Sequence, residues 1–172
     1  MRHLALHARV ANLAFPPDSA PAMLTDLSLA ALHHLLVFGL VAMLVSQSIL
    51  LRGQMDGRVL ARLAGIDRGY GITAVLLLVV GLMRVFHGIK GEDFYLHNPW
   101  FHAKIGAFVL VGLVSIWPTL RFLRWRKALK ADPAFLPTAA ETCSLQRIVR
   151  LELALVAVIF VLAAAMARHG GF

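Results

Sequence analysis

One cysteine, Cys143, stands in 172 residues. That excludes an intramolecular disulfide and every CxxC metal or redox motif. Charge is scarce as well. Asp, Glu, Lys and Arg make up 15% of the chain, against about 25% in soluble domains. The acidic sign is the rarer one, with 9 acidic residues to 17 basic. From Ser28 to Leu50 no charged residue occurs at all. The formal charge of +8 would suit nucleic acid. The basic residues, however, border the apolar runs, where topology and anionic lipid account for them, so no nucleic-acid partner is expected. Also missing is an unbroken apolar core near the start, because His7, Arg9 and Asn12 interrupt it. Residues 1–22 therefore do not read as a signal peptide.

In place of charge the chain has apolar length. Hydrophobic residues make up 59% of it and mean hydropathy is +0.75. These residues collect into four runs, each near the ~20 residues needed to cross a bilayer as a helix. The expected spans are residues 26–51, 70–88, 100–120 and 149–167. The fold class is all-α: a four-helix transmembrane bundle in one domain, residues 23–172. Residues 1–22, with the Pro16-Pro17-Asp18 turn, read as a disordered tail; Met23, directly before the first helix, is a second candidate start. The basic segment 52–68 reads as a short amphipathic helix on the membrane surface, 121–130 as a basic run flanked by Trp117 and Trp125 as interface anchors, and short amphipathic helices are expected on the cytoplasmic side. Pro99 sets the start of the third span, because the residue before a proline avoids the helical region.

Chemistry concentrates between the second and third spans. Arg84 to Lys104 holds His87, His97 and His102, two lysines, Glu92, Asp93 and several aromatics. Two histidines, His33 and His34, lie inside the first span. Taking Gly39, Ala42 and Ser46 as its packing face, His34 is the more inward of the two. Leu77, Gly81, Arg84 and Gly88 share one face of the second span, which turns Arg84 into the bundle. Tyr95, Trp100 and Phe101 read as an aromatic belt, and Arg150 with Glu152 as an ion pair at the start of the fourth span.

Lys and Arg also orient the bundle. Arg52, Arg58, Arg62 and Arg68 fill the first connection, and Arg121, Arg124, Arg126, Lys127, Lys130, Arg147 and Arg150 the third. Both connections are expected to be cytoplasmic, with both termini outside. His33, His34, Arg84, His87, His102 and Lys104 then gather at similar depth in the outer half. Imidazoles on different membrane helices can ligate a haem iron, and Arg84 with Lys104 can hold its carboxylates. The candidate cofactor-binding residues are His33, His34, His87 and His102, and the candidate catalytic residues are Arg84 and Lys104. His34 and His102 are equally candidate ligands for another metal ion. The competing expectation is that these groups simply reach the headgroups.

The set His33-His34, Asp67-Arg-Gly-Tyr-Gly71, Arg84-Val-Phe, Tyr95-Leu-His-Asn-Pro-Trp-Phe-His-Ala-Lys104 and Ser115-Ile-Trp-Pro-Thr119 resembles an uncharacterised bacterial membrane protein family, number 2214 of the domains of unknown function, over residues 23–170. Trp100-Phe-His-Ala-Lys104 is also similar to the Trp-x-His-x-Lys motif of HemJ-type protoporphyrinogen oxidases, small four-helix membrane proteins that bind haem b. Arg150-Leu-Glu152 departs from their fourth-helix motif, which carries an asparagine. Copper-resistance D-type membrane proteins share the helical layout. The resemblance implies a multi-pass inner-membrane protein with haem b, held by His102 and one of His33 and His34, acting as an oxidoreductase on a tetrapyrrole. The alternative is a non-enzymatic membrane protein that binds a metal ion or lipid, or a subunit of a larger complex. The expected partners are membrane lipids, a tetrapyrrole or quinone, and a second copy of the chain.

Overall fold

The computed structural model describes residues 19–87 and 91–168. Four long helices carry the chain: α1 (Ser19–Leu50), α2 (Gly57–His87), α4 (Pro99–Ala131) and α5 (Ala139–Arg168), with a short α3 (Gly91–Leu96) between α2 and α4. Each long helix is long and apolar enough to cross a membrane. The protein is an all-α bundle of four candidate spans. α1 packs along α2 and α4 along α5; α2 against α4 and α1 against α5 close the ring.

The helices run longer than the apolar runs alone indicate. α1 begins at Ser19, so residues 19–22 are helical, while residues 1–18 of the expected tail lie outside the described residues. Arg58 to Arg68 is not a separate surface helix but the first turns of α2. Likewise Arg121 to Lys130 continues α4. Neither segment contains a glycine–proline break, and both keep helical apolar spacing, so the backbone has no reason to stop at the membrane face. The connections are therefore short, residues 51–56 and 132–138. The single short helix, α3, lies at the opposite end.

Local sequence fixes the helix starts. Asp56 Oδ1 accepts from the Val59 N–H at 2.7 Å, capping α2. Asn98 caps α4, its Oδ1 accepting from the Trp100 N–H at 2.9 Å, with Pro99 in the first turn. Thr138 and Glu141 form a reciprocal capping box at α5: the Glu141 N–H donates to Thr138 Oγ1 at 3.3 Å and the Thr138 N–H to Glu141 Oε2 at 3.1 Å. Glu141 also accepts from Arg121 Nη1 at 3.0 Å, tying α5 to α4.

The core runs along the bundle axis through Leu40, Leu44, Leu60, Leu63, Leu77, Val111, Phe122, Leu145, Val149 and Val156. Outward-facing positions are apolar too: Leu35 is 68% exposed and Val161 68%. A surface of that kind is matched by lipid tails, and helix association inside it rests on close packing rather than on water exclusion.

Candidate functional site

The bundle interior holds two polar groups, one near each end. The first lies towards the 88–98 connection. There His33 of α1 and Lys104 of α4 line a cleft of about 90 Å³. The remaining walls are apolar, with Leu77, Leu82, Val85, Phe101, Phe108 and Ile159 among them. Gly81 of α2 faces His33 across the cleft: a Cβ there would stand 3.5 Å from His33 Cε1, an ordinary contact. Arg84, one turn beyond Gly81, is half-buried, close enough for its charge to act on both His33 and Lys104. Lys104 Nζ lies 5.6 Å from the centroid of the Phe101 ring, within cation–π range.

Two atoms of this group are buried without a hydrogen-bond partner, His33 Nδ1 and Arg84 Nε. The one ion pair among the described residues is Arg121–Glu141, at the far end of the bundle. Arg84 is thus not paired with Glu92 or Asp93, both of which are exposed. His33 and Lys104 line this apolar cleft and Arg84 stands close to both, with no described carboxylate pairing with either cation.

His34 and His102 stand elsewhere. Both are exposed, and each Nδ1–H donates to a backbone carbonyl one turn back: His34 to Ala30 at 2.7 Å and His102 to Asn98 at 3.0 Å. The His87 side chain lies outside the described residues. Among the described side chains, one imidazole faces the cleft. The inward histidine is His33 rather than His34, and the reason is the packing face. α1 buries Leu40, Leu44 and Gln47, whereas a Cβ at Gly39 would touch nothing and Ala42 is exposed. Positions 33, 40, 44 and 47 fall on one helical stripe. The small residues chosen as the face from sequence are mostly off it.

Nor are Arg150 and Glu152 an ion pair. Residues two apart on a helix face different ways; Arg150 is exposed and Glu152 is 1% exposed. Glu152 belongs to the second polar group, which the sequence reading did not assemble. It stands in the interior beside the Tyr70 hydroxyl and the Asp67 carboxyl, both from α2. Asp67 Oδ1 accepts from Thr119 Oγ1 of α4 at 3.1 Å, and Gln47 of α1 lies alongside Asp67. All four long helices contribute. Asp67 and Tyr70 are 7% and 4% exposed and Gln47 1%. The available signal was Glu152 as the single charge in the run 151–167, together with the one-turn spacing of Asp67 and Tyr70.

Leu40, Leu44, Val111 and Val156 separate the two groups, and all are buried. Along α1, α4 and α5 one or two of them fall between the residues of the cleft and those of the carboxylate cluster.

A haem can be tested against these side chains. The cleft offers an apolar slot, one imidazole with an unpartnered buried nitrogen, and the Lys104 cation, with Arg84 close by. These fit a tetrapyrrole held through one histidine. A clamp of two imidazoles is not built by the described side chains. No group of three or more His, Cys, Asp or Glu among the described residues is gathered closely enough to hold a metal ion.

No curated protein and no solved structure matches the chain. A family model does, over residues 25–171, under the description "Predicted membrane protein (DUF2214)". That match takes in all four long helices and both interior polar groups, and the chain belongs to this family.

Proposed function

We propose that the protein binds, within the membrane, an apolar molecule carrying an acidic group, and that the cleft lined by His33 and Lys104, with Arg84 close by, is where it binds. The observation that carries this reading is cationic charge without an acidic counterpart: Lys104 lines an apolar cleft beside His33, Arg84 stands close to both, and no carboxylate among the described residues pairs with either cation. Intramembrane charges without partners are costly, and their retention points to a ligand. Leu78, Leu82 and Ile105, which line the cleft, are exposed on the bundle surface, so a ligand enters from the lipid phase.

A haem-type tetrapyrrole is the first occupant to test, since it combines an apolar plate, acidic groups and an iron that takes imidazole. Bound here, it would supply one-electron redox chemistry, and the protein would be a redox protein of the HemJ kind. His33 would hold the iron, Arg84 and Lys104 the carboxylates, and the apolar walls would exclude water. An acidic lipid uses the same cations and walls without His33. In the bacterial inner membrane the arginine-rich helix ends would face the cytoplasm and the cleft the outer leaflet.

The test is purification in mild detergent, followed by a reduced-minus-oxidised absorption spectrum and mass spectrometry of extracted lipids. A haem spectrum lost in His33→Ala supports the tetrapyrrole. A co-purifying acidic lipid lost in Lys104→Gln but kept in His33→Ala supports the lipid. If neither is found, and neither added protoporphyrin nor added fatty acid binds, the cleft is not a ligand site.

A further inference from the structure

The carboxylate cluster at the other end of the bundle is independent of the cleft and of any ligand there. We infer that Asp67 and Glu152 together form a proton-binding site inside the membrane span, holding one exchangeable proton between them. The argument starts from burial. Glu152 is 1% exposed and its Oε1 has no hydrogen-bond partner; Gln47, also 1% exposed, has an unpartnered Nε2 beside the same group. An ionised carboxylate with an unsatisfied oxygen in a low-dielectric interior is among the most unfavourable arrangements a protein can adopt.

Next comes the question of what could neutralise the pair. Thr119 and Gln47 act on Asp67, and Asp67 and Tyr70 act on Glu152. None is a cation. Arg68 and Arg150, adjacent in sequence, are exposed, and Arg121 is committed to Glu141 at 3.0 Å. Two negative charges side by side, without a positive one, repel strongly at low dielectric. One shared proton removes the repulsion, as in other paired carboxyls. The surrounding hydrogen bonders suit that state. Thr119 Oγ1 already donates to Asp67 Oδ1, so Asp67 is the better-stabilised anion. Glu152, with a free oxygen and only the Tyr70 hydroxyl alongside, is the better proton carrier.

A membrane-permeant carbodiimide tests this, because it couples to carboxyls that are both protonated and shielded from water. The full-length protein in detergent or vesicles is treated across a range of pH, and the adduct is mapped by peptide mass spectrometry. Glu141 and Glu92, outside the core, serve as comparators for a water-soluble carbodiimide. The expected result is an adduct at Glu152 with the permeant reagent and little with the soluble one. It should fade as pH rises and be absent in Glu152→Gln. Asp67→Asn removes the neighbouring charge, so the fading at Glu152 should shift to lower pH; a purely structural role for Asp67 would not move it. No adduct at Glu152 at any pH would overturn the proposal, as would an adduct indifferent to pH. An identical profile in folded Asp67→Asn would show two independent carboxyls and overturn it as well. If that variant does not fold, the profile of the unaltered protein decides.

Discussion

Arg84→Gln should move stability and ligand affinity in opposite directions. In the ligand-free bundle Arg84 Nε is buried without a partner, and no carboxylate pairs with the guanidinium. A buried donor in that condition is a cost, so replacing it should leave thermal stability in detergent unchanged or raise it by roughly 1 kcal/mol. With an acidic ligand in the cleft the same side chain makes charge-assisted hydrogen bonds, worth about 1.5–3 kcal/mol. Losing them should weaken binding by about 10- to 150-fold. Titration of the detergent-solubilised protein with iron-free protoporphyrin, and separately with a fluorescent fatty acid, reads the affinity; a thermal melt without ligand reads the stability. Arg84→Lys should fall between, keeping the charge but not the planar fork. A variant that binds both probes as tightly as the unaltered protein while melting lower would refute the reasoning. It would mean that Arg84 serves the bundle and not a ligand.

Gly81 offers a graded block of the cleft. A Cβ there meets His33 at an ordinary contact distance of 3.5 Å, so Gly81→Ala should fold and bind normally. Gly81→Phe should abolish probe binding in size-exclusion assays while the bundle stays monodisperse. Reporter fusions after Lys130 and after Glu92 should report opposite sides of the membrane, with the first cytoplasmic; the reverse would invert the orientation. Phe122, 1% exposed and set edge-on to Trp125 at 5.7 Å, fills the core at the arginine-rich end. Phe122→Ala should cost about 3–5 kcal/mol in a detergent unfolding assay.

The spans were legible because a bilayer imposes a length and a charge limit that any apolar run either meets or does not. Where the helices end was less legible. No membrane rule stops a helix at the interface, and Arg58 to Arg68 simply continues into α2. The site was legible in part. Arg84 could be placed because Leu77, Gly81 and Arg84 share a stripe, and that stripe does face the interior. His33 and His34 are adjacent, so the choice between them depended on the reference face. That face is set by Leu40, Leu44 and Gln47, bulky residues indistinguishable in sequence from the lipid-facing Leu35 and Phe38. Asp67 and Glu152 escaped because they lie far apart in sequence beside arginines, where an exposed ion pair is the simpler reading. Only the ring order of the helices brings them together.

The layer formed by Leu40, Leu44, Val111 and Val156 has an electrical consequence. From Glu152 to Ile159, which lines the cleft, α5 rises about 10 Å through side chains that neither hydrate nor carry charge. In a membrane under voltage that layer behaves as the dielectric of a small capacitor, with one polar group against each plate. The potential falls mainly across it, and a charge carried over the full drop is worth about 2.3 kcal/mol per 100 mV. A polar substitution in the layer, such as Leu44→Asn, would create a leak between the two groups, visible as proton flux in vesicles holding the variant and not in vesicles holding the unaltered chain.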